Sequence, residues 1–227
     1  MGTARDNIME SNLFTLFSVP LIQVQLPQSD RLNQDLRALI LLKESYGAVE
    51  QNPSPAMAIP KGLFESRFDF FAIPDPCVAA LRKFCMSWLY QSIGELSGYD
   101  PATLAGLSVQ SHTWFHVTRS GGYFSLHNHP MASWSGVYCV DPGDADHANA
   151  LDGAISFLNP MGIANMFIDA GNTRLKPPFS GKNFSMRLRA GELILFPSYL
   201  FHQVLPYTGS RERITVAFNC WFANLEP

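Results

Sequence analysis

From about Leu107 onward the chain is a series of short apolar runs separated by turn residues, and this pattern restricts the possible folds most strongly. The clearest runs cover residues 111–117, 135–140, 153–158, 191–196 and 213–222. Many short alternating strands in succession are typical of sandwiches and jelly rolls. Because helical patterns come before them, we predict an α+β fold whose C-terminal half is a sandwich or jelly roll.

Two helices are predicted in the first half of the chain. The first begins at Ser29 or Asp30, ahead of apolar residues at helical spacing, and the second opens at Asp75-Pro76. A proline at the first helical position and a glycine after the last one are common helix boundaries. The second helix is therefore expected to end near Gly94 or Gly98.

The domain organisation follows from these patterns. Residues 13–26 are expected to hold one or two short strands, and residues 47–76 to form a long covering segment. We expect one domain over residues 1–227, with a helical and covering part at 1–106 and a jelly-roll core at 107–227.

Composition excludes several classes of function. The chain has 227 residues, a net charge of −3 and 15% charged residues. It therefore lacks the excess of positive charge that is typical of proteins that bind nucleic acid. No apolar run approaches the ~20 residues of a membrane helix, and the N-terminus lacks a signal peptide pattern. The four cysteines show no CxxC spacing, so we expect free, buried thiols and a cytoplasmic location.

A candidate metal site is formed by three of the six histidines. His127 and His129 are one residue apart in a strand-like run, so both side chains can point to the same face. His202 follows another apolar strand and a turn, where it can meet the first two. Three imidazoles on one side of an ion leave positions open for other ligands. Considered without His202, the pair His127 and His129 is more simply interpreted as two surface residues or two packed residues that bind no metal.

A buried carboxylate site is indicated by Arg213 and Thr215. The guanidinium is a planar fork that suits a carboxylate, and Thr215 faces the same way two residues later. An ion pair of Arg213 with Glu212 or Asp141 on a solvated edge is the alternative. We favour the carboxylate because an arginine in an apolar strand needs a partner.

Other polar and aromatic residues are candidates for a pocket wall. Tyr123 and Trp134 bracket the histidine pair, and we predict that Tyr123, Trp134, Tyr138 and His116 line the pocket. His116 is alternatively structural or an outer support of the site.

The same residues carry a resemblance to a known family. Trp114, Gly122-Tyr123, His127-Asn128-His129-Pro130 and Ser135-Gly136-Val137-Tyr138 are followed by Gly191-Glu192-Leu193-Ile194-Leu195-Phe196-Pro197-Ser198, His202 and Arg213-Ile214-Thr215. This pattern resembles a family of 2-oxoglutarate–Fe(II) oxygenases from bacteria and phages. The resemblance covers most of the chain and is specific over residues 114–219.

The resemblance implies a fold, cofactors and an activity. It implies a double-stranded β-helix, related to the cupins, with the N-terminal helices packed on its outside. It implies Fe(II) held by His127, His129 and His202, and 2-oxoglutarate held by Arg213 and Thr215. The expected reaction consumes O₂, releases succinate and CO₂, and hydroxylates a small molecule or an amino-acid or peptide side chain.

One feature departs from the wider superfamily. Most such oxygenases have Asp or Glu where this chain has His129, and a three-histidine set is neutral, so the ion keeps one more positive charge. Either His129 is a metal ligand, which the family pattern favours, or it lies outside the ligand set and a water molecule occupies that coordination position.

Two other functions remain open from sequence. One is a cupin-type dioxygenase that uses three histidines and no 2-oxoglutarate. The other is a non-catalytic jelly-roll module that binds a metal. Substrate identity cannot be read from the sequence, and the edge strands and aromatic surplus are compatible with a homodimer.

Overall fold

Two antiparallel sheets face each other and enclose the candidate site. The computed structural model describes residues 13–162 and 167–223. The larger sheet has six strands in the order β1-β8-β5-β10-β3-β2, and the smaller has four in the order β4-β9-β6-β7. This arrangement is a double-stranded β-helix, so the predicted α+β jelly roll is confirmed.

The helices and strands have the following bounds. The helices are α1 (Asp30–Ser45), α2 (Pro76–Ser97) and α3 (Pro101–Gly106), with short 3-10 turns at Gly47–Val49 and Phe70–Ala72. The strands are β1 (Ile22–Gln25), β2 (Leu63–Glu65), β3 (Ser108–Thr118), β4 (Phe124–His127), β5 (Trp134–Asp141), β6 (Ile155–Phe157), β7 (Phe184–Met186), β8 (Glu192–Pro197), β9 (His202–Val204) and β10 (Arg213–Ala223).

The start and end of α2 follow from local chemistry. The Asp75 carboxylate accepts a hydrogen bond of 2.8 Å from the backbone N–H of Cys77, and Pro76 occupies the first turn. Gly98 ends the helix in the left-handed conformation with φ of 66°, which glycine adopts without a Cβ clash. The second helix therefore has the boundaries that the sequence predicted.

The larger sheet is buried on both faces. Helices α1 and α2 cover its outer face, where Leu36, Leu81 and Leu89 pack against strand residues that include Leu193 and Val216. Its inner face packs against the smaller sheet through a second cluster of Cys139, Ile155, Phe157, Leu188, Ile194, Phe196 and Leu200. Strand β8 is therefore buried along its whole length, as expected of a strand with covered faces on both sides.

The N-terminal part forms one strand, Ile22–Gln25, inside the range predicted to hold one or two, and this strand pairs with β8. The covering segment contributes β2, which pairs with β3 and becomes the edge strand of the larger sheet. In the described residues, no helix is long and apolar enough to cross a membrane.

Candidate metal and carboxylate site

The register of two strands brings the three predicted histidines together. In the smaller sheet His127, at the end of β4, lies opposite His202, at the start of β9. The ring centroids of these two histidines are 4.2 Å apart, and that of His129 lies 4.8 Å from His127 and 5.2 Å from His202. One ligand nitrogen from each ring lies within 4.8 Å of the others.

The position of His129 has a different cause from the one expected. Strand β4 ends at His127, so strand alternation does not place His129. Its backbone N–H instead donates a 2.9 Å hydrogen bond to the carbonyl of Ser198, in the turn before β9. A bulge in β4 between Phe124 and His127 also aligns His127 with His202. Strand pairing thus places His127 and His202, and the backbone hydrogen bond to Ser198 places His129.

Hydrogen bonds select the tautomer of two of the imidazoles. His127 Nδ1 lies 2.8 Å from the carbonyl of Ser125, and His202 Nδ1 lies 2.9 Å from the carbonyl of Leu200. A carbonyl oxygen only accepts, so each Nδ1 carries the proton and donates it. Nε2 of both rings therefore keeps a free lone pair, which is the form that binds a metal.

Burial keeps the cluster neutral. It lowers the pKa of His127, lowers the pKa of His129 to about 4 and lowers the pKa of His202 to about 3. The neighbouring imidazole of His127 lowers the pKa of His129 and His202 further, because two adjacent positive charges repel. At neutral pH the three rings are uncharged and available as ligands, so the donor set fits a divalent transition metal.

Arg213 is a buried cation without a carboxylate partner among the described residues. It is only 6% exposed, and desolvation lowers its pKa. The ion pair considered from sequence does not form, because Asp141 and Glu212 both bind Arg37 instead. Thr215 is also buried and lies on the same strand. An isolated buried charge is unfavourable in a protein, so this guanidinium is suited to an anionic ligand.

The histidines and Arg213 share one cavity. It measures about 220 Å³ and lies between the two sheets. Thr215, His116 and Glu65 line it together with the apolar side chains of both sheets. A wider groove of about 780 Å³ lies beside the start of α2. No histidine, cysteine or carboxylate cluster suited to a metal lies in that groove among the residues that are described.

Aromatic side chains form one wall of the cavity. The Phe68 and Trp114 rings are 4.9 Å apart, and Trp114 lies 6.0 Å from His129. The Phe124 ring lies 4.7 Å from that of His127. Over residues 13–162 and 167–223, Trp114 Nε1 is the one buried side-chain nitrogen or oxygen without a hydrogen-bond partner. This N–H can donate to a bound ligand, since a buried indole N–H usually has a partner.

Three of the predicted pocket residues lie elsewhere. Tyr138 is fully buried on the helix side of the larger sheet, where its hydroxyl donates a 2.8 Å hydrogen bond to the Asn33 side-chain oxygen. Trp134 has the same strand parity and packs against the helix-side core. Tyr123 is 40% exposed and lies outside the cavity lining. His116 does line the cavity, as predicted.

Glu65 is a cavity residue that the sequence interpretation missed. It is 3% exposed, and its side chain contacts His116 and Asn52. The available signal was an acidic residue between aromatic ones in the covering segment, at Phe64-Glu65-Ser66-Arg67-Phe68. Without the pairing of β2 with β3, that acid could equally have faced solvent.

The sequence match covers the strands that carry the histidine cluster and Arg213. Residues 112–219 match the model of a family described as "Putative 2OG-Fe(II) oxygenase". This segment contains the three histidines, Arg213 and Thr215. No curated protein matches the chain.

Solved structures share the fold. A prolyl-4-hydroxylase from Pseudomonas putida is 18% identical, with a TM-score of 0.56 over 90% of this chain and 92% of that one. HygX from Streptomyces hygroscopicus, solved with nickel, 2-oxoglutarate and hygromycin B, is 12% identical, with a TM-score of 0.54 over 89% and 82%. A prolyl hydroxylase from Trichoplax adhaerens, in complex with a hypoxia inducible factor peptide fragment, is 12% identical, with a TM-score of 0.53 over 88% and 83%. At these identities the likeness establishes the fold.

Proposed function

We propose that the cavity binds Fe(II) and 2-oxoglutarate for an oxidation that consumes O₂, because residues 112–219 match the model of the 2-oxoglutarate–Fe(II) oxygenases. The protein is an oxidoreductase of this class. His127, His129 and His202 would hold the metal, and Arg213 with Thr215 would hold the distal carboxylate of 2-oxoglutarate. The observation that carries the proposal is a neutral three-histidine cluster that shares one cavity with a buried arginine for which the described residues offer no carboxylate partner.

The protein side chains have distinct tasks in this scheme. When bound, iron and 2-oxoglutarate supply the oxidising chemistry, in which O₂ and 2-oxoglutarate are converted to succinate and CO₂ while a substrate C–H bond is hydroxylated. The imidazoles offer Nε2 lone pairs and remain uncharged. Arg213 provides the fixed cation that orients the cosubstrate, because its fork matches a carboxylate. Phe68, Trp114 and Phe124 limit the access of water to the reacting atoms.

The substrate is proposed at the level of class. A cavity of about 220 Å³ suits a small molecule or a single amino-acid or peptide side chain. Proteins of the same fold include prolyl hydroxylases and an enzyme solved with hygromycin B, which supports both kinds of substrate. Hydroxylation is the expected outcome. A cytoplasmic location is also part of the proposal, supported by four free, buried cysteines.

A three-histidine dioxygenase that does not use 2-oxoglutarate is the second candidate, favoured because no carboxylate of the described residues joins the histidine cluster. The two functions differ at Arg213. In an oxygenase of the first kind this residue binds the cosubstrate. In the second kind Arg213 has no cosubstrate to hold, and its loss leaves the reaction intact.

An anaerobic titration tests the proposal. Fe(II) and then 2-oxoglutarate are added to the purified protein, and the visible spectrum is followed for the weak charge-transfer band of a chelated keto acid. We expect the band in the wild-type protein, and on exposure to O₂ we expect succinate. Arg213→Met should bind Fe(II) and fail to release succinate. A wild-type protein that binds iron but gives no band at saturating 2-oxoglutarate would rule the proposal out.

A further inference from the structure

The cavity contains one negative and one permanently positive side chain. Among the described residues that line it, Glu65 is the only carboxylate, and Arg213 is the only lysine or arginine. The proposed function assigns Arg213 to 2-oxoglutarate and gives Glu65 no task. The neutral histidine cluster lacks the negative charge that a carboxylate ligand would bring. The cavity therefore contains a carboxylate, that of Glu65, to which no role is assigned, and a histidine cluster that offers a metal no negative charge.

Glu65 has a defined and charged environment. It ends β2 opposite His116 of β3. Its Oε2 lies 3.0 Å from His116 Nε2, and its Oε1 accepts a 2.7 Å hydrogen bond from the Asn52 amide. Burial alone would raise the pKa of Glu65, but hydrogen bonds from His116 and Asn52 hold that pKa below its usual value. The carboxylate is thus ionised although it is buried.

Glu65 and the three histidines of the cluster line the same cavity. Side chains in contact join Glu65 to the cluster, since the His116 ring stacks on Phe124 at 5.2 Å and Phe124 lies 4.7 Å from His127. The space between them is lined by aromatic rings, where charges are screened less than in water.

We propose that Glu65 supplies, from the larger sheet, the negative charge that the three-histidine set lacks, and that it thereby strengthens binding of a divalent cation. It does so through the electric field in the cavity and without acting as a ligand. The inference rests on the proposed function, because it concerns the same cation site.

A structural role for Glu65 makes different predictions. If the carboxylate only fixes β2 and His116, its replacement should destabilise the fold and affect the metal only through folding. If its charge acts on the metal, an isosteric neutral residue should weaken binding while the metal-free protein keeps its stability. A shorter carboxylate should then recover most of the binding.

The test compares Glu65→Gln, Glu65→Asp and a matched control, Glu50→Gln. Glu50 is also a partly buried acid of the covering segment, but it pairs with Lys43 and lies outside the cavity lining. Binding of Co(II) to the full chain is measured by calorimetry without 2-oxoglutarate, and thermal unfolding is measured in EDTA. We expect Glu65→Gln to bind Co(II) about 10- to 100-fold more weakly, the range found for outer partners of metal ligands. Glu65→Asp and Glu50→Gln should bind close to the wild-type value.

A paired replacement covers the case in which Glu65→Gln fails to fold. Glu65→Leu combined with His116→Phe removes both members of the buried pair, and apolar replacement of a whole pair is usually tolerated. The same loss of Co(II) affinity is expected. Unchanged affinity in a folded Glu65 variant overturns this inference and leaves the proposed function standing. Failure of the wild-type protein to bind Co(II) overturns both.

Discussion

Nδ1 of His202 lies 2.9 Å from the carbonyl oxygen of Leu200, two residues earlier in the chain. This short bond places the proton of His202 on the nitrogen that faces the backbone, so that the other nitrogen faces the cavity with a free lone pair. Ser125 has the same relation to His127. The turn before β9 and the end of β4 therefore prepare two ligands before any metal binds, which lowers the reorganisation that binding requires.

His202→Ala should abolish measurable divalent metal binding. The loss is expected to exceed about 100-fold in Co(II) affinity, beyond the effect of removing an outer partner of a ligand. The measurement is calorimetric titration of the purified protein. His112→Gln is the matched control, because His112 lines the same cavity but lies outside the histidine cluster. Equal losses in the two variants would show that the cavity as a whole, rather than the cluster, binds the ion.

Arg213→Met should separate cosubstrate binding from metal binding. Truncating one partner of a buried charge pair costs about 2–5 kcal/mol, which is roughly 30-fold or more in the Kd for 2-oxoglutarate. Metal-free Arg213→Met should unfold at a temperature no lower than wild type, because the variant removes an unpaired buried charge. Differential scanning fluorimetry with and without 2-oxoglutarate measures both effects.

Arg211→Met serves as the control for that experiment. Arg211 is exposed and pairs with Asp141 at 3.1 Å outside the cavity. It should keep the full increase in unfolding temperature that 2-oxoglutarate gives the wild-type protein. If Arg211→Met lost this increase as well, the assignment of the carboxylate to Arg213 would be wrong.

The metal-free protein should lose stability as the pH falls below about 6.5. Burial lowers the pKa of His202 to about 3 in the folded state, so at intermediate pH the unfolded chain binds a proton that the folded chain does not. The contribution of neutral His202 to the free energy of unfolding is therefore fully present above the pKa that His202 has in the unfolded chain. It is lost as the pH falls toward the pKa that His202 has in the folded protein. His202 alone should contribute a slope of about 1.4 kcal/mol per pH unit.

Urea unfolding in EDTA between pH 7.5 and 5 measures that slope. His129, whose pKa is lowered to about 4, should add to it. His202→Gln should reduce the slope, whereas His147→Gln should leave it unchanged because His147 lies in an exposed loop. A wild-type slope that His202→Gln does not alter would contradict a neutral, buried His202.

Gly136→Ala should destabilise the protein through a collision in the larger sheet. A Cβ at this position would overlap the ring of Phe218 on the neighbouring strand β10. Overpacking of this kind costs about 1–3 kcal/mol, measurable as a lower urea midpoint with an unchanged m-value. Gly106→Ala is the control, since a Cβ there meets nothing within 4 Å. A shift no larger than that of Gly106→Ala would mean that Phe218 moves aside readily.

Much of the fold could be predicted from local patterns. The proline after Asp75 and the glycine at position 98 marked both ends of α2, and the alternating runs after residue 107 indicated the strands. His127, His129, His202 and Arg213 were found because each is a polar residue in an apolar segment. A polar residue that is buried needs a polar partner or a ligand, whichever strands pair around it.

The remaining features depend on long-range pairing. Trp134 and Tyr138 stand close to the histidines in sequence, but on β5 the alternate residues Ser135 and Val137 face the cavity. Apolarity does not distinguish the two faces of β5, because helices cover the outer face and residues on both faces are therefore shielded from water. Glu65 enters the cavity only because β2 pairs with β3, more than 40 residues later in the chain.

The bulge between Phe124 and His127 also restricts how this part of the chain can change over time. Deleting one residue there would rotate His127 away from His202 and toward the outside of the smaller sheet. Residues 167–179, in the connection between β6 and β7, are exposed apart from Asn172 and take no part in this alignment. Among homologues, insertions and deletions should therefore accumulate in that segment, while the spacing from Phe124 to His129 stays fixed.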